Sequence, residues 1–243
     1  MADHFELFKQ VYDDRFARTH GFWRPEIEKT LLAFLDCGIP ELGFARLRCT
    51  ECRRELFVSF SCKTRGFCPA CQAKRSALWA EWVVDELLLP VRHHQWVFVL
   101  PKRLRLYFLY DRALLGDLAR CAVASIRRLY HNRAIDQGID PKGLKPGVAL
   151  AIHTHGDFSN WQPHIHCLVT AGVADRHGEI TPLDLPWPPA AEADFQARIL
   201  RLLKRRDRLT PEQVEGMLAW AHSGFSVHSA VCADPSSPNP HHA

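Results

Sequence analysis

Residues 147–173 read GVALAIHTHGDFSNWQPHIHCLVTAGV. Two largely apolar runs, GVALAIHTHG and PHIHCLVTAGV, flank a link from Gly156 to Gln162 that carries Gly156, Asp157, Ser159 and Asn160, residues of tight turns. The pattern predicts two antiparallel strands. On a strand, residues i and i+2 share a face. His164 and His166 therefore project together, and Ile165 and Cys167 enter the core behind them. Antiparallel pairing sets His153 beside them and turns Ile152 away. His153 sits further inside its strand than His155 and is the third candidate. Three imidazoles facing one point form a platform for a divalent cation. A hard Mg²⁺ or Mn²⁺ ion there polarises a phosphate oxygen; zinc is the alternative occupant. Without an ion, the same residues make a hydrogen-bonded polar patch. His155 and Asp157 are placed to orient an imidazole.

Around this pair the chain alternates helices and strands. HHQWVFVLP, ending at Pro101, reads as a strand. LRLYFLYDRALLGDLARCAVASIRRLYHNRAI follows as one long amphipathic helix. After a Pro-rich stretch around Thr181–Pro189, Asp194–Leu209 reads as a basic helix, then comes a short helix from Pro211 and a strand in GFSVHSAV. On the other side, residues 1–45 are helical, 46–75 are short cysteine-rich segments, and a helix runs from Ser76 to about Leu89. The expected fold class is α+β: a small cysteine zinc-ribbon-like domain, then an antiparallel-sheet domain with flanking helices. The expected boundaries are 1–90, 91–231 and a disordered tail at 232–243.

The chain has 243 residues, 47% hydrophobic and 24% charged, with a net charge of +4. That is ordinary for a folded protein and permits nucleic-acid binding without demanding it. The N-terminus has no apolar signal segment, and no run approaches the ~18 apolar residues of a membrane span. A cytoplasmic location is expected. The 9 cysteines then point to metal rather than disulfides.

Cys49 and Cys52 form one C-x-x-C, and Cys68 and Cys71 form another. Two residues between thiolates let a tight turn aim both at one ion, and two such pairs complete a tetrahedron. The expected zinc ligands are Cys49, Cys52, Cys68 and Cys71, in a closed, structural site. Cys62 offers a fifth thiol that replaces one of the four or packs. Cys37, Cys121 and Cys232 lack ligand spacing and read as small buried hydrophobes. Two basic clusters, Lys102, Arg103 and Arg105, and Lys204, Arg205 and Arg206, are the candidate DNA contacts; each also reads as a solvated helix face. Trp161 is a candidate base-stacking group; Trp96 reads as core.

CTEC, FSCKTRGFCPAC, WVFVLPKRLR, HTHG with PHIHCLVTAG, and SGFSVH, in that order, resemble the IS-ninety-one family of insertion-sequence transposases. The resemblance covers the chain to about residue 231. It implies an N-terminal zinc-binding domain joined to an HUH-class nuclease domain. It further implies Mg²⁺- or Mn²⁺-dependent nicking of single-stranded DNA, with a tyrosine forming a 5′-phosphotyrosyl link. His164 and His166 match the HUH motif; His153 sits where related relaxases place a further histidine ligand. His228 lies in SGFSVH, with no role assigned. The family's nucleophilic tyrosine lies downstream of the HUH strand, whereas Tyr12, Tyr107, Tyr110 and Tyr130 all precede His164. The expectation is a copy truncated before that tyrosine, which binds zinc and DNA but nicks poorly or not at all. The alternative is a zinc-ribbon DNA-binding protein without nuclease activity; further rivals are a metal-dependent hydrolase that uses water and a partly folded remnant.

Overall fold

The computed structural model describes residues 2–64, 66–156, 160–184 and 189–234. Asp157, expected to orient an imidazole, lies outside the described residues. The chain divides into two compact units, Met1–Leu88 and Leu89–Ala243. The fold is α+β.

In the first unit, α1 (Phe5–Arg15), α2 (Ala17–His20) and α3 (Pro25–Leu35) precede a hairpin of β1 (Phe44–Arg48) and β2 (Glu55–Ser59). Pro25 opens α3 at a position where its missing N–H costs nothing. An aromatic cluster of Phe8, Tyr12, Phe16 and Trp23 ties α1 to the segment before α3, with the Tyr12 and Trp23 ring centroids 5.0 Å apart. The helix expected from Ser76 starts earlier. Helix α4 spans Pro69–Trp82, with Cys68 as its N-cap and Pro69 in its first turn.

The second unit is built on a four-stranded sheet in the order β4-β5-β3-β8. The strands are β3 (His93–Val99), β4 (Val148–His155), β5 (Trp161–Thr170) and β8 (Ser226–Ala233), and every neighbouring pair is antiparallel. A small hairpin, β6 (Gly172–Ala174) with β7 (Ile180–Pro182), extends from β5. The expected single long helix is broken at Asp111–Ala113 into α5 (Arg105–Tyr110) and α6 (Leu114–Asp136). Residues 235–243 of the expected tail lie outside the described residues, and its first residues are ordered in the sheet. Cys232 and Ala233 pair with His94 and His93 in β8, and Asp234 binds Arg92 at 3.0 Å.

Alternation sets the two faces of this sheet. Ile165, Cys167 and Val169 of β5 and Trp96 and Phe98 of β3 are buried against helices. Helix α6 buries Leu114, Leu118, Ala122, Ile126 and Leu129. Helix α7 (Pro189–Arg205) buries Ala191, Phe195, Ile199, Leu202 and Leu203, and its Phe195 ring lies 5.0 Å from that of Phe98. Each such large side chain contributes about 1.5–3 kcal/mol through burial. A last helix, α8 (Pro211–Leu218), is closed by a capping box between Thr210 and Gln213. The opposite parity of the strands gives His153 on β4, His164, His166 and Leu168 on β5, Gln95, Val97 and Val99 on β3, and Ser226 and His228 on β8. All of these are half-buried or exposed.

Candidate metal centres

The β4–β5 register pairs His153 with His164 and Ala151 with His166. Directly opposed residues of an antiparallel pair share a face, so the three imidazoles converge. Ring centroids lie 4.4 Å apart for His153–His166, 5.0 Å for His164–His166 and 5.3 Å for His153–His164. One ring nitrogen from each lies within 4.8 Å of the others. The Nδ1 of His164 is 2.7 Å from the Gln162 carbonyl, which makes it the protonated nitrogen and leaves Nε2 free. The His166 Nδ1 lies 3.2 Å from the Gln95 amide. Burial lowers the pKa of His153, and the nearby His164 charge lowers it further; burial, then His153 and His164, act the same way on His166. Both rings are therefore neutral at neutral pH, the form that ligates. This donor set, three neutral imidazoles on rigid strands with one open side, suits a single divalent cation.

His155 is not part of the group: it pairs with Trp161 beyond a register shift, and its Nδ1 contacts the Thr154 hydroxyl at 2.9 Å. His228 pairs with Val97, which places β3 between it and His166; its Nε2 contacts the Ser226 hydroxyl at 2.6 Å.

Of the basic residues, Lys102 and Arg103 are exposed in the turn that leaves β3 just beyond the partner of His164. Arg105 is committed elsewhere. Its Nε donates to the Leu100 carbonyl at 3.1 Å, and burial lowers its pKa. Lys204, Arg205 and Arg206 stand at the end of α7, on the helix-covered side of the sheet, and Arg206 pairs with Asp117 at 3.0 Å. Sequence reasoning passed over Arg112, whose guanidinium lies 4.6 Å above the Trp161 ring. Trp161 is itself pinned, its indole N–H donating to the Arg105 carbonyl at 2.8 Å. Trp96 is core.

Among the described residues of the second unit, no ring contact or hydrogen bond joins Tyr107, Tyr110 or Tyr130 to the three histidines. Tyr130 is fully buried, donates to the Thr170 carbonyl at 2.8 Å and has its pKa raised by burial. Tyr107 and Tyr110 are carried by α5, which sends Phe108 into the core on the other side of the sheet; Tyr110 is 84% exposed. Tyr12 is buried in the aromatic cluster of the first unit.

The cysteines correct the sequence reading. Cys68 and Cys71 gather with Cys37 and Cys62, not with Cys49 and Cys52, and the four sulfurs lie within 4.8 Å of one another. The hairpin register explains this. Phe44 pairs with Ser59 at the open end and Arg48 with Glu55 at the other, so CTEC forms the turn. Five residues of strand put that turn about 17 Å from the open end. At the open end the Gly38 amide donates to the Phe60 carbonyl at 3.0 Å, drawing Cys37 at the end of α3 to Cys62 just after β2. Tetrahedral ligation with Zn–S of about 2.3 Å requires sulfurs about 3.8 Å apart. The observed separations are 3.6 Å for Cys37–Cys71 and Cys62–Cys71 and 3.7 Å for Cys68–Cys37. These four thiols fit a structural zinc ion. The Cys62 amide draws the Cys37 thiol down, but burial and the Cys71, Cys62 and Cys68 thiols push it up to about 12. Burial opposes ionisation of Cys62, yet the Thr64 hydroxyl and amide and the Cys37 and Cys71 thiols bring it to about 6. Cys49 and Cys52 remain exposed, with Arg53 at φ 59° closing the turn, and amides of Cys52, Glu51 and Arg53 lower the Cys49 pKa.

The first unit thus carries a four-thiol cluster and the second a histidine-faced antiparallel sheet. Residues 7–100 match the family described as transposase zinc-binding domain, and residues 147–228 match the family described as putative transposase. The chain belongs to the IS-ninety-one family of transposases. It is 33% identical over 155 residues to the transposase for insertion sequence element IS801 of Pseudomonas savastanoi pv. phaseolicola. That alignment covers 63% of this chain and 35% of the relative. It is 27% identical over 170 residues to the putative transposase y4qJ of Sinorhizobium fredii (strain NBRC 101917 / NGR234), covering 69% and 40%. The chain thus spans well under half the length of these curated relatives. No solved structure matches. Among the described residues no helix is long and apolar enough to cross a membrane.

Proposed function

We propose that the second unit binds single-stranded DNA across its histidine face, as the cation-holding part of a rolling-circle transposase of the HUH type. The observation that carries this is the convergence of His153, His164 and His166 on one open side of a rigid sheet. A Mg²⁺ or Mn²⁺ ion held there supplies Lewis-acid polarisation of a scissile phosphate. The strands fix the three rings, and burial keeps His153 and His166 neutral. Lys102 and Arg103, at the His164 end of β3, neutralise neighbouring phosphates, and Arg112 over Trp161 adds a third cation at that end. Lys204, Arg205 and Arg206 are not part of this path. The four-thiol zinc site fixes the first unit and takes no part in chemistry, because a closed tetrahedron has no open position.

The test is anisotropy of a labelled single-stranded oligonucleotide with Mn²⁺ or with chelator, for wild type and His164→Ala/His166→Ala. The expected result is Mn²⁺-dependent binding lost in the double variant. Equal binding by both proteins favours a zinc-ribbon DNA-binding protein without nuclease chemistry.

A further inference from the structure

Gln95 lies on β3, on the open face, in a row otherwise apolar: its register partners are Leu168 on β5 and Val231 on β8. It is half-buried. An amide in such a place costs free energy unless it is hydrogen-bonded. Among the described residues its side chain has one partner: its Nε2, the NH₂ end of the amide, lies 3.2 Å from the Nδ1 of His166. We infer that Gln95 is a positioning residue for the cation site, setting which nitrogen of His166 carries the proton. The inference rests on the reading of the three histidines as cation ligands.

The chemistry follows from the tautomers. The two ring nitrogens are coupled: a proton on Nδ1 leaves Nε2 with a free lone pair, and the reverse. With its NH₂ end at Nδ1, Gln95 donates and the ring proton sits on Nε2; turned over, the amide accepts from Nδ1–H and leaves Nε2 for a cation. At His164 the group facing Nδ1 is the Gln162 carbonyl. A backbone carbonyl can only accept, which locks His164 into the ligating tautomer. A glutamine amide can do either. With Oε1 toward the ring it accepts from Nδ1–H and His166 is ready to ligate. With the NH₂ toward the ring it donates to Nδ1, the proton moves to Nε2, and His166 cannot ligate. A half-turn of the amide separates the two states. His166 is thus the adjustable ligand of the three, and Gln95 is the group that adjusts it. Partners of this kind typically change metal affinity by about 10–100-fold when removed.

The test measures Mn²⁺ binding by calorimetry in wild type, Gln95→Leu, Gln95→Glu and His164→Ala. It also records the ¹⁵N shifts of the His166 ring with and without Mg²⁺. Gln95→Leu is expected to weaken Mn²⁺ binding by about 10–100-fold. Gln95→Glu, which can only accept, is expected to restore it. In metal-free wild type the His166 proton is expected on Nε2, opposite the Gln95 NH₂, and on Nδ1 once Mg²⁺ binds; loss of the metal-free preference in Gln95→Leu is the signature a merely structural glutamine would not produce. Wild-type affinity in Gln95→Leu would falsify the inference and leave the cation site standing. Should that variant not fold, a His166 proton that stays on Nε2 with Mg²⁺ present in wild type overturns it equally. Wild-type binding that is absent, or unaffected by His164→Ala, removes the cation site and this inference with it.

Discussion

Substituting Cys37 by serine separates the cluster seen in the fold from the ligand set that spacing suggests. The Cys37 sulfur lies 3.6 Å from that of Cys71 and 3.7 Å from that of Cys68, and accepts from the Cys62 amide at 3.4 Å. Its loss opens one corner of the tetrahedron. Among the described residues, buried hydrophobic side chains in the first unit are few: Phe5, Tyr12, Cys68 and Val83. With so small a core, metal binding carries much of the folding free energy. Free zinc at about 1,000 times the dissociation constant stabilises a folded state by about 4 kcal/mol. Weakening on the order of 1,000-fold by loss of a thiolate removes nearly all of that. The assay is zinc transfer to a competing chelator, paired with thermal melting with and without zinc. Cys37→Ser is expected to lose both zinc retention and the zinc-dependent rise in melting temperature. Cys49→Ser/Cys52→Ser is expected to keep both. The opposite pattern, zinc held by Cys37→Ser and lost by the Cys49/Cys52 variant, refutes the reasoning.

Other outcomes follow from the second unit. Burial lowers the pKa of His93 and His94, the Arg92 charge adding to the effect on His94. The unfolded chain then takes up protons first as pH falls below about 6.5; denaturant midpoints are expected to drop between pH 7.5 and 5.5, and a flat or rising profile contradicts this. A methyl group on Gly172 would sit 2.4 Å from the Thr181 carbonyl oxygen, so Gly172→Ala is expected to cost about 1–3 kcal/mol in chemical unfolding. Ile165 is fully buried behind the histidines; Ile165→Ala is expected to cost about 2–5 kcal/mol, and a wild-type midpoint would misplace the core. Lys102→Ala/Arg103→Ala is expected to lower the salt slope of oligonucleotide binding by about 0.7 per lost phosphate contact, with Lys204→Ala/Arg205→Ala leaving it unchanged.

The histidine pair was legible because a strand has a fixed period of two: PHIHCLV admits one arrangement with Ile165 and Cys167 inside. His153 followed from hairpin pairing, since Gly156–Gln162 carries turn chemistry. Gln95 was not legible, because its closeness to His166 depends on β3 pairing with β5, a contact 71 residues apart in the chain. The cysteine set was misread for a related reason. C-x-x-C spacing reports that two thiols share a turn, not which turns meet. The apolar residues flanking CTEC, from Phe44 to Ser59, held the signal: they read as paired strands, and pairing sends Cys49 and Cys52 to the tip. The break between α5 and α6 escaped because the apolar period runs through Asp111–Ala113 without a proline or glycine to mark it.

Anomalous diffraction from crystals grown with Mn²⁺ would locate the cation directly. The structure leads us to expect a manganese peak bonded to His153, His164 and His166, with the zinc signal confined to Cys37, Cys62, Cys68 and Cys71. A sheet face without manganese, its three rings turned apart, would contradict the reading of the second unit as a cation-dependent DNA-binding fold.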